Sequence, residues 1–542
     1  MSNQPTNKTP GVYIHELDNV VPSIVGVPTA IPAFIGYTEK VEWNGKSLLM
    51  KPVTITSFRE FEEWFGRGPE LRYTLVEVEG ENNYDVSIYD PVARAKRFYV
   101  VDEDRSPWKF NLYKAIRLFY ENGGAECVVL SVGDYTAREG ESQVGVSGAS
   151  LEKGVEAIAD VDGPTLVVVP DALLLPNDGE EYDPWQSSQF VSLTQKILKL
   201  CADRGDRFAI LDLYGSSLIP STKENMESVF EAFRQGVGSE GISYGAAYFP
   251  LLETTVVAVN AVNYLSFTIE SRGLLKEMLT WQNVTLNNNG VFPPEGEQGS
   301  ARYEMLRVEI AKIVEDDLSP EDVAQLNRTL TGALPLLQKL LQVIVSRENI
   351  LSPSSAVAGL YTRVDSTSGV WTSPAGMNTG LESVIQPIIL LNDSEQREMN
   401  VPVGERAINA IRIFPETGSV VWGARTLDGE SNNWRYIQIR RTLIYIEQSI
   451  KNALNSFVFA ANDSTTWSTV VSMVENFLNT IWRQGGLIGL TSSEAYSVQC
   501  GLGSTMTQED ILNGYMKVQV MVSVVHPAEF IVLAIEQAMQ AS

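Results

Sequence analysis

Histidine, the side chain best suited to proton transfer near neutral pH, occurs only twice, as His15 and His526. Each lies in a terminal stretch with strand-like or turn-like neighbours, so a Ser-His-Asp or Cys-His arrangement would have to be built from an extremity of the chain. No GxSxG, HExxH or Walker-type phosphate loop is present. Gly236-Val237-Gly238-Ser239-Glu240-Gly241 fits GxGxxG. The nucleotide-binding version of that motif follows a strand and opens a helix, so that a pyrophosphate meets the helix N-terminus. Here a helical pattern precedes the glycines and a strand pattern follows, which predicts a helix-to-strand loop. The acidic clusters Asp102-Glu103-Asp104, Glu180-Glu181 and Asp316-Asp317 sit in polar, loop-like or helix-surface settings. They read as solvated faces rather than metal or acid–base pairs. Cys127, Cys201 and Cys500 are far apart and odd in number, so they form neither a disulfide framework nor a CxxC pair, and a reducing compartment fits them. No catalytic, cofactor or metal residue is assigned. An α/β enzyme using the loop Gly236–Gly241 or the chain around Asp171 is the competing reading, and it would need a ligand.

One local charge contrast does suggest chemistry. The chain carries a formal net charge of −26, which argues against nucleic-acid binding. Yet between Gly404 and Asn452 there are seven basic residues, Arg406, Arg412, Arg425, Arg435, Arg440, Arg441 and Lys451, against five acidic ones. Two readings stand side by side: ion pairing within the chain, or a basic surface that docks an acidic partner through arginine's planar fork.

The elements that would position these residues follow from hydrophobic periodicity. Thr29–Tyr37 reads as a buried strand, and Phe58, Phe61, Trp64 and Phe65 mark a short helix inside a polar insertion over about 39–105. Leu112, Ile116 and Phe119 share a helical face that stops at Asn122-Gly123-Gly124, followed by a strand from Cys127. From about 150 to 252 strands at Thr165–Val169, Phe208–Leu213 and Tyr244–Leu252 alternate with helices around Phe190–Leu200 and Met226–Phe233. That alternation predicts an α/β layer with a mostly parallel sheet. Residues 253–350 read as largely helical, and Ser352-Pro353-Ser354-Ser355 reads as a boundary. Beyond it come short strands at Ile408–Phe414 and Val420–Trp422 and long helices over Arg435–Phe457 and Thr465–Arg483. The fold class is therefore mixed α/β (α+β), in several domains.

Both ends of the chain read as strands, where order normally fades. Val518, Val520, Val522 and Val524 alternate with Lys517, Gln519 and Ser523, and a second apolar run that includes Phe530 and Val532 follows His526-Pro527. At the front, Val12, Ile14, Val20, Ile24 and Val25 lie in strand-like stretches whose prolines suit edges. Strands at both extremities are candidates for pairing with another copy of the chain. The start lacks a basic, apolar leader and no run is long and apolar enough to cross a bilayer, which predicts folding in the cytoplasm without membrane insertion.

Several segments, in order, resemble the contractile tail sheath proteins. They are Thr9-Pro10-Gly11-Val12-Tyr13-Ile14, Pro32-Ala33-Phe34-Ile35-Gly36, Phe119-Tyr120-Glu121-Asn122-Gly123-Gly124, Val357 through Gly376, Ile411 through Leu427, Trp434 through Arg441, Tyr445 through Ile450, Met506 through Ile511 and Pro527-Ala528-Glu529-Phe530-Ile531. The likeness covers both ends and most of the last third. Lys109-Phe110-Asn111-Leu112-Tyr113 and the overall layout look more like sheaths of phage-tail-like extracellular injection particles than like phage tails. A baseplate or capsid component shares the arm logic but not this ordered motif set. The resemblance implies a structural, non-enzymatic subunit that forms six-membered rings stacked helically around an inner tube and contracts to drive the tube forward. It implies an N-terminal exchange arm over 1–28, an outer α/β domain over 29–352, a C-terminal core domain over 353–525 facing the tube, and a C-terminal exchange arm over 526–542. Arg425, Arg435, Arg440, Arg441 and Lys451 become tube-facing candidates. The implied partners are further copies of the chain, the inner tube protein, baseplate and tail-terminator or cap proteins, sheath paralogues and an AAA+ ATPase of the same system. No cofactor is implied, and assembly is expected in the bacterial cytoplasm as part of a released or anchored particle.

Overall fold

The computed structural model describes residues 23–80, 83–102, 109–136, 145–177, 185, 187–219, 223–400 and 406–529. Its central feature is an eight-stranded sheet. In chain order the strands are β1 (Pro32–Thr38), β2 (Pro52–Ile55), β3 (Cys127–Asp134), β4 (Leu166–Val168), β5 (Phe208–Asp212), β6 (Gly245–Phe249), β7 (Ile408–Phe414) and β8 (Gly418–Val421). They lie side by side as β8-β7-β6-β5-β4-β1-β3-β2. The six from β7 to β3 are parallel, with Ala33 opposite Val128 on one side and Val167 on the other, and the outermost strand at each edge is antiparallel.

Parallel strands carry helices on both faces and are therefore apolar on both. β1 is buried at every position from Pro32 to Thr38. Its odd-numbered residues Ala33, Ile35 and Tyr37 face a core built with Leu151 and Val155 of helix Gly148–Ala157, Leu193 and Ile197 of Ser188–Arg204, and Phe230 and Phe233 of Met226–Val237. Phe34 faces the opposite core, with Ile116 and Phe119 of helix α1 (Leu112–Glu121) and Val357 and Leu360 of helix α2 (Ser354–Ser368). α1 and α2 pack closely because Gly359 leaves room: a Cβ there would lie 2.4 Å from the Phe119 carbonyl oxygen. The predicted alternation of strands and helices thus folds as expected.

The polar insertion is more structured than its composition suggested. It supplies edge strand β2, the helix Phe58–Phe65 and a separate antiparallel sheet of Thr74–Val78, Ala95–Asp102 and Val86–Asp90. That small sheet shares a third core with the helices between Ile269 and Glu348, through residues such as Leu75, Tyr99, Leu275, Leu306 and Leu337.

The described residues divide into two compact units, Pro28–Tyr445 with His526–Glu529, and Ser23–Val27 with Ile446–Val525. This corrects the boundary expected between 352 and 353. Ser354 starts a helix that covers the main sheet, and β7 joins that sheet by pairing with β6, Ala247 opposite Ile408. The segment 353–445 completes the α/β core; β7 and β8 pair with each other as a hairpin, and they looked detached because the strand that ties β7 to the sheet, β6, lies more than a hundred residues earlier. The smaller unit contains the helix Ser464–Arg483, whose Val470, Met473, Val474, Phe477, Leu478 and Ile481 are buried, and an antiparallel pair, β9 (Tyr496–Gln499) and β10 (Gln519–Val522). Among the described residues no single helix is long and apolar enough to cross a membrane.

Candidate functional site

In doubly wound sheets ligands bind beyond the C-terminal strand ends, where the strand order reverses. Here the reversal lies at β1, with β3 on one side and β4 on the other. The position is filled by the chain's own carboxylate. Asp171, just past β4, accepts from the backbone N–H of Tyr37 at 2.8 Å and of Asn111 at 2.6 Å, at the start of α1. Gly36 permits this approach, since a Cβ there would lie 2.5 Å from Asp171 Oδ2. Asp212, at the end of β5, does the same for α2, accepting from Ser354 N–H at 3.0 Å and its hydroxyl at 2.5 Å. Two helix N-termini that could hold an anion each hold an internal aspartate instead. Burial pushes both carboxyls up to about 6, against the hydrogen bonds that favour their charged forms.

The sign of the pH effect follows. A carboxyl whose folded pKa lies above its unfolded value makes folding most favourable below the unfolded value, and that contribution is lost as pH rises through about 6. For Asp171→Asn we expect the stability difference, wild type minus variant, to fall by on the order of 3 kcal/mol between pH 4 and 7. Urea unfolding across that range measures it.

The other chemical candidates also have structural roles. The Gly236–Gly241 motif runs from the last turn of the helix Met226–Val237 into the connection to β6, with Gly238 and Gly241 at positive φ. Asp316 pairs with Arg272 at 2.8 Å. Glu180-Glu181, Glu103 and His15 lie outside the described residues. Among the described residues no three acidic, cysteine or histidine side chains come together as metal ligands.

The basic segment does not form the open surface expected of it. Arg441, on helix α3 (Ile437–Leu454), is buried against Asp365 of α2, with Nη1 to Oδ1 at 3.0 Å, a bond from Nη2 to the Thr29 carbonyl and the Tyr361 ring 4.4 Å away. Arg440 lies between the rings of Trp434 and Tyr244, at 3.5 and 4.2 Å, and donates to Ser243 at 2.9 Å. Arg425 is 3% exposed and makes a two-pronged pair with Glu529 at 3.0 and 2.7 Å. Arg435 is half-buried and bonds the Ser431 carbonyl and Asn432 nearby. Arg425, Arg440 and Arg441 are therefore corrected from tube-facing candidates to internal anchors. A guanidinium can be buried when its donors are matched by carboxylates, carbonyls and ring faces. Lys451 alone among the five is exposed.

The terminal strand predictions divide. β10 forms, with Val520 and Val522 facing inward and Gln519 and Met521 outward. Its partner is in the same chain: Val520 lies opposite Val498 and Val522 opposite Tyr496, while Val524 bridges Leu487 and Val518 precedes the strand. Val520, Val522 and Val524, expected to be arm residues, pair within their own chain, because Tyr496–Gln499 and Leu487 offer in-register partners. The β9–β10 ribbon stops at two strands among the described residues. Ser23–Val27 forms no strand, Ile24 is half-buried and Val25 is 81% exposed. Val12, Ile14, Val20, Phe530 and Val532 lie outside the described residues.

Sequence reasoning missed Asp171, Asp212 and the Glu529 pocket as structural centres. An acid at or just past the end of a parallel strand was the available signal for the first two; the third joins Glu529 to residues 93 to 129 positions earlier.

Comparison with known proteins places this architecture. The phage tail sheath C-terminal domain matches residues 430–538. The tail sheath proteins of Vibrio phage KVP40 and Enterobacteria phage T4 are 28% and 26% identical to this chain over 131 residues, 24% of its length. That match spans about a fifth, 19%, of each curated relative's own length. The sheath complex of the extracellular contractile injection system PVC, in its contracted state, is 25% identical, with 99% of each chain covered and a TM-score of 0.55. The contracted helical sheath of the anti-feeding prophage AFP shares the fold at 22% identity and a TM-score of 0.54, over 98% of this chain and 100% of that one. The chain thus carries a match to the phage tail sheath C-terminal domain over residues 430–538 and is similar in fold, along nearly its full length, to the sheath of an extracellular contractile injection system.

Proposed function

We propose that this protein is a structural subunit of the contractile sheath of a phage-tail-like injection system. It polymerises as stacked six-membered rings around an inner tube and contracts to drive that tube through a target envelope. The observation that carries the reading is the β9–β10 ribbon. Two strands alone are marginal in water, and among the described residues no third strand pairs with either of them, so the ribbon is suited to receive a further strand. Arms over 1–28 and 526–542 from other copies supply those strands in the assembly. Contraction is a switch between two packings of one subunit, with the shared sheets keeping the lattice connected.

The inner tube protein, baseplate and cap proteins are the partners of this reading, with paralogous sheath subunits and an AAA+ ATPase beside them. Likeness along the whole chain to an extracellular injection system's sheath, against a match to phage sheaths confined to about a quarter of it, favours an injection particle over a phage tail. Lys451 is the tube-facing candidate that remains exposed. Purified protein examined by negative-stain microscopy is expected to form long helical tubes with six-fold end views. Monodisperse monomers at high concentration, with or without a tube protein, would contradict the reading.

A further inference from the structure

The pair between Arg425 and Glu529 lies at the root of the C-terminal arm and is built unlike a surface ion pair. Four donors converge on one carboxylate. Arg425 Nε and Asn400 Nδ2 reach Oε1 at 3.0 and 2.6 Å, and Arg425 Nη2 and the Tyr436 hydroxyl reach Oε2 at 2.7 and 2.9 Å. Burial alone would raise the Glu529 carboxyl, but Arg425, Asn400 and Tyr436 hold it below the ordinary carboxylate value.

The receiving side is fixed without any help from the arm. The Asn409 side chain accepts from Arg425 N–H at 2.7 Å and donates to its carbonyl at 2.8 Å, while Arg425 Nη1 donates to the Gly429 carbonyl at 2.9 Å. The guanidinium is thus held, nearly buried, with Nε and Nη2 directed to the two oxygens of one carboxylate. Leaving it unpaired would be strongly unfavourable. On the arm side, Val524 is bridged to Leu487 and Glu529, five residues later, is in the pocket.

We propose that Arg425, Tyr436 and Asn400 form a carboxylate receptor that tethers the arm root to its own subunit through Glu529, so that the segment given to another copy begins at Phe530. This rests on the arm-exchange reading above. The tether fixes where each arm departs and keeps its length constant while subunits rotate, so the link between copies is a defined span rather than a slack one. Glu529 acts as a positioning residue, and Arg425 is spent on holding it.

The test uses full-length protein carrying Cys500→Ser and a nitroxide on Ala528→Cys, an exposed position, with and without Glu529→Gln. In the parent the label's spectrum is expected in the slow-motion regime. Glu529→Gln is expected to shift it to fast motion in the unpolymerised protein, with far-UV circular dichroism unchanged. The concentration at which tubes form should rise roughly tenfold. A label that stays slow in Glu529→Gln overturns the tether, whatever the assembly result. A label that becomes fast while tubes form at the parent concentration overturns its role in positioning the arm. Removal of residues 530–542, which leaves Glu529 in place, separates the two ideas. If that truncation forms tubes like the parent, arm exchange fails, and the label still decides whether Glu529 is bound.

Discussion

Arg441→Met is expected to lower the unfolding free energy by about 3–5 kcal/mol, among the largest losses a single substitution can cause here. The reason is burial rather than lost attraction. Arg441 and Asp365 have side chains 3% and 5% exposed, so removing the guanidinium strands a carboxylate that water cannot reach. The Thr29 carbonyl loses its donor as well, and the Tyr361 ring, whose hydroxyl lies 2.6 Å from that of Tyr248, loses the cation packed on it. Arg441→Glu should do at least as much harm, by placing two acids together. Urea denaturation of the unpolymerised protein gives the value directly. Lys451→Glu, at an exposed site on the same helix, should change stability by no more than about 0.5 kcal/mol. A small effect at Arg441 would mean that the arginine is available for docking after all.

The second large effect concerns assembly. Deleting residues 530–542, or residues 1–22, is expected to leave a cooperatively folded protein that forms no tubes. Neither deletion removes a residue of the described sheets or cores, so the fold should survive. What disappears is the material proposed to complete the β9–β10 ribbon. Each exchanged valine, isoleucine or phenylalanine contributes about 1.5–3 kcal/mol of burial before entropy costs. Several per subunit interface, repeated along a lattice, make the difference between polymer and monomer. Sedimentation and negative-stain microscopy of the truncated proteins, with melting curves to verify folding, measure it. Normal tubes from both truncations would contradict the arms.

How much of this was legible before the structure depended on the range of the interaction. Strands such as Pro32–Thr38 and helices such as Leu112–Glu121 were readable because their signal is local: a run of apolar residues, a helical stripe, a glycine stop. The small sheet within 74–102 was obscured by exposed, charged positions such as Glu77 and Lys96 and by the exposed aromatic Tyr89, which weaken a period of two. The domain boundary was misread at Ser352–Ser355, where serine and proline resemble a linker but Asp212 captures Ser354 to start a core helix. The arginine segment was legible as an excess of positive charge, but not as buried. Asp365, Glu529 and the rings of Tyr244 and Trp434, which hold those arginines, include partners far away in sequence. The ribbon's valine alternation was clear, whereas the identity of its partner strand depended on a pairing that the sequence pattern leaves open.

The most direct test is a high-resolution reconstruction of tubes assembled from the full-length protein. The expected map shows the outer edges of Tyr496–Gln499 and Gln519–Val522 hydrogen-bonded to segments traced to other subunits, and Glu529 in the Arg425 pocket of its own. A map in which both termini fold onto their own subunit and the ribbon edges face solvent would refute the account.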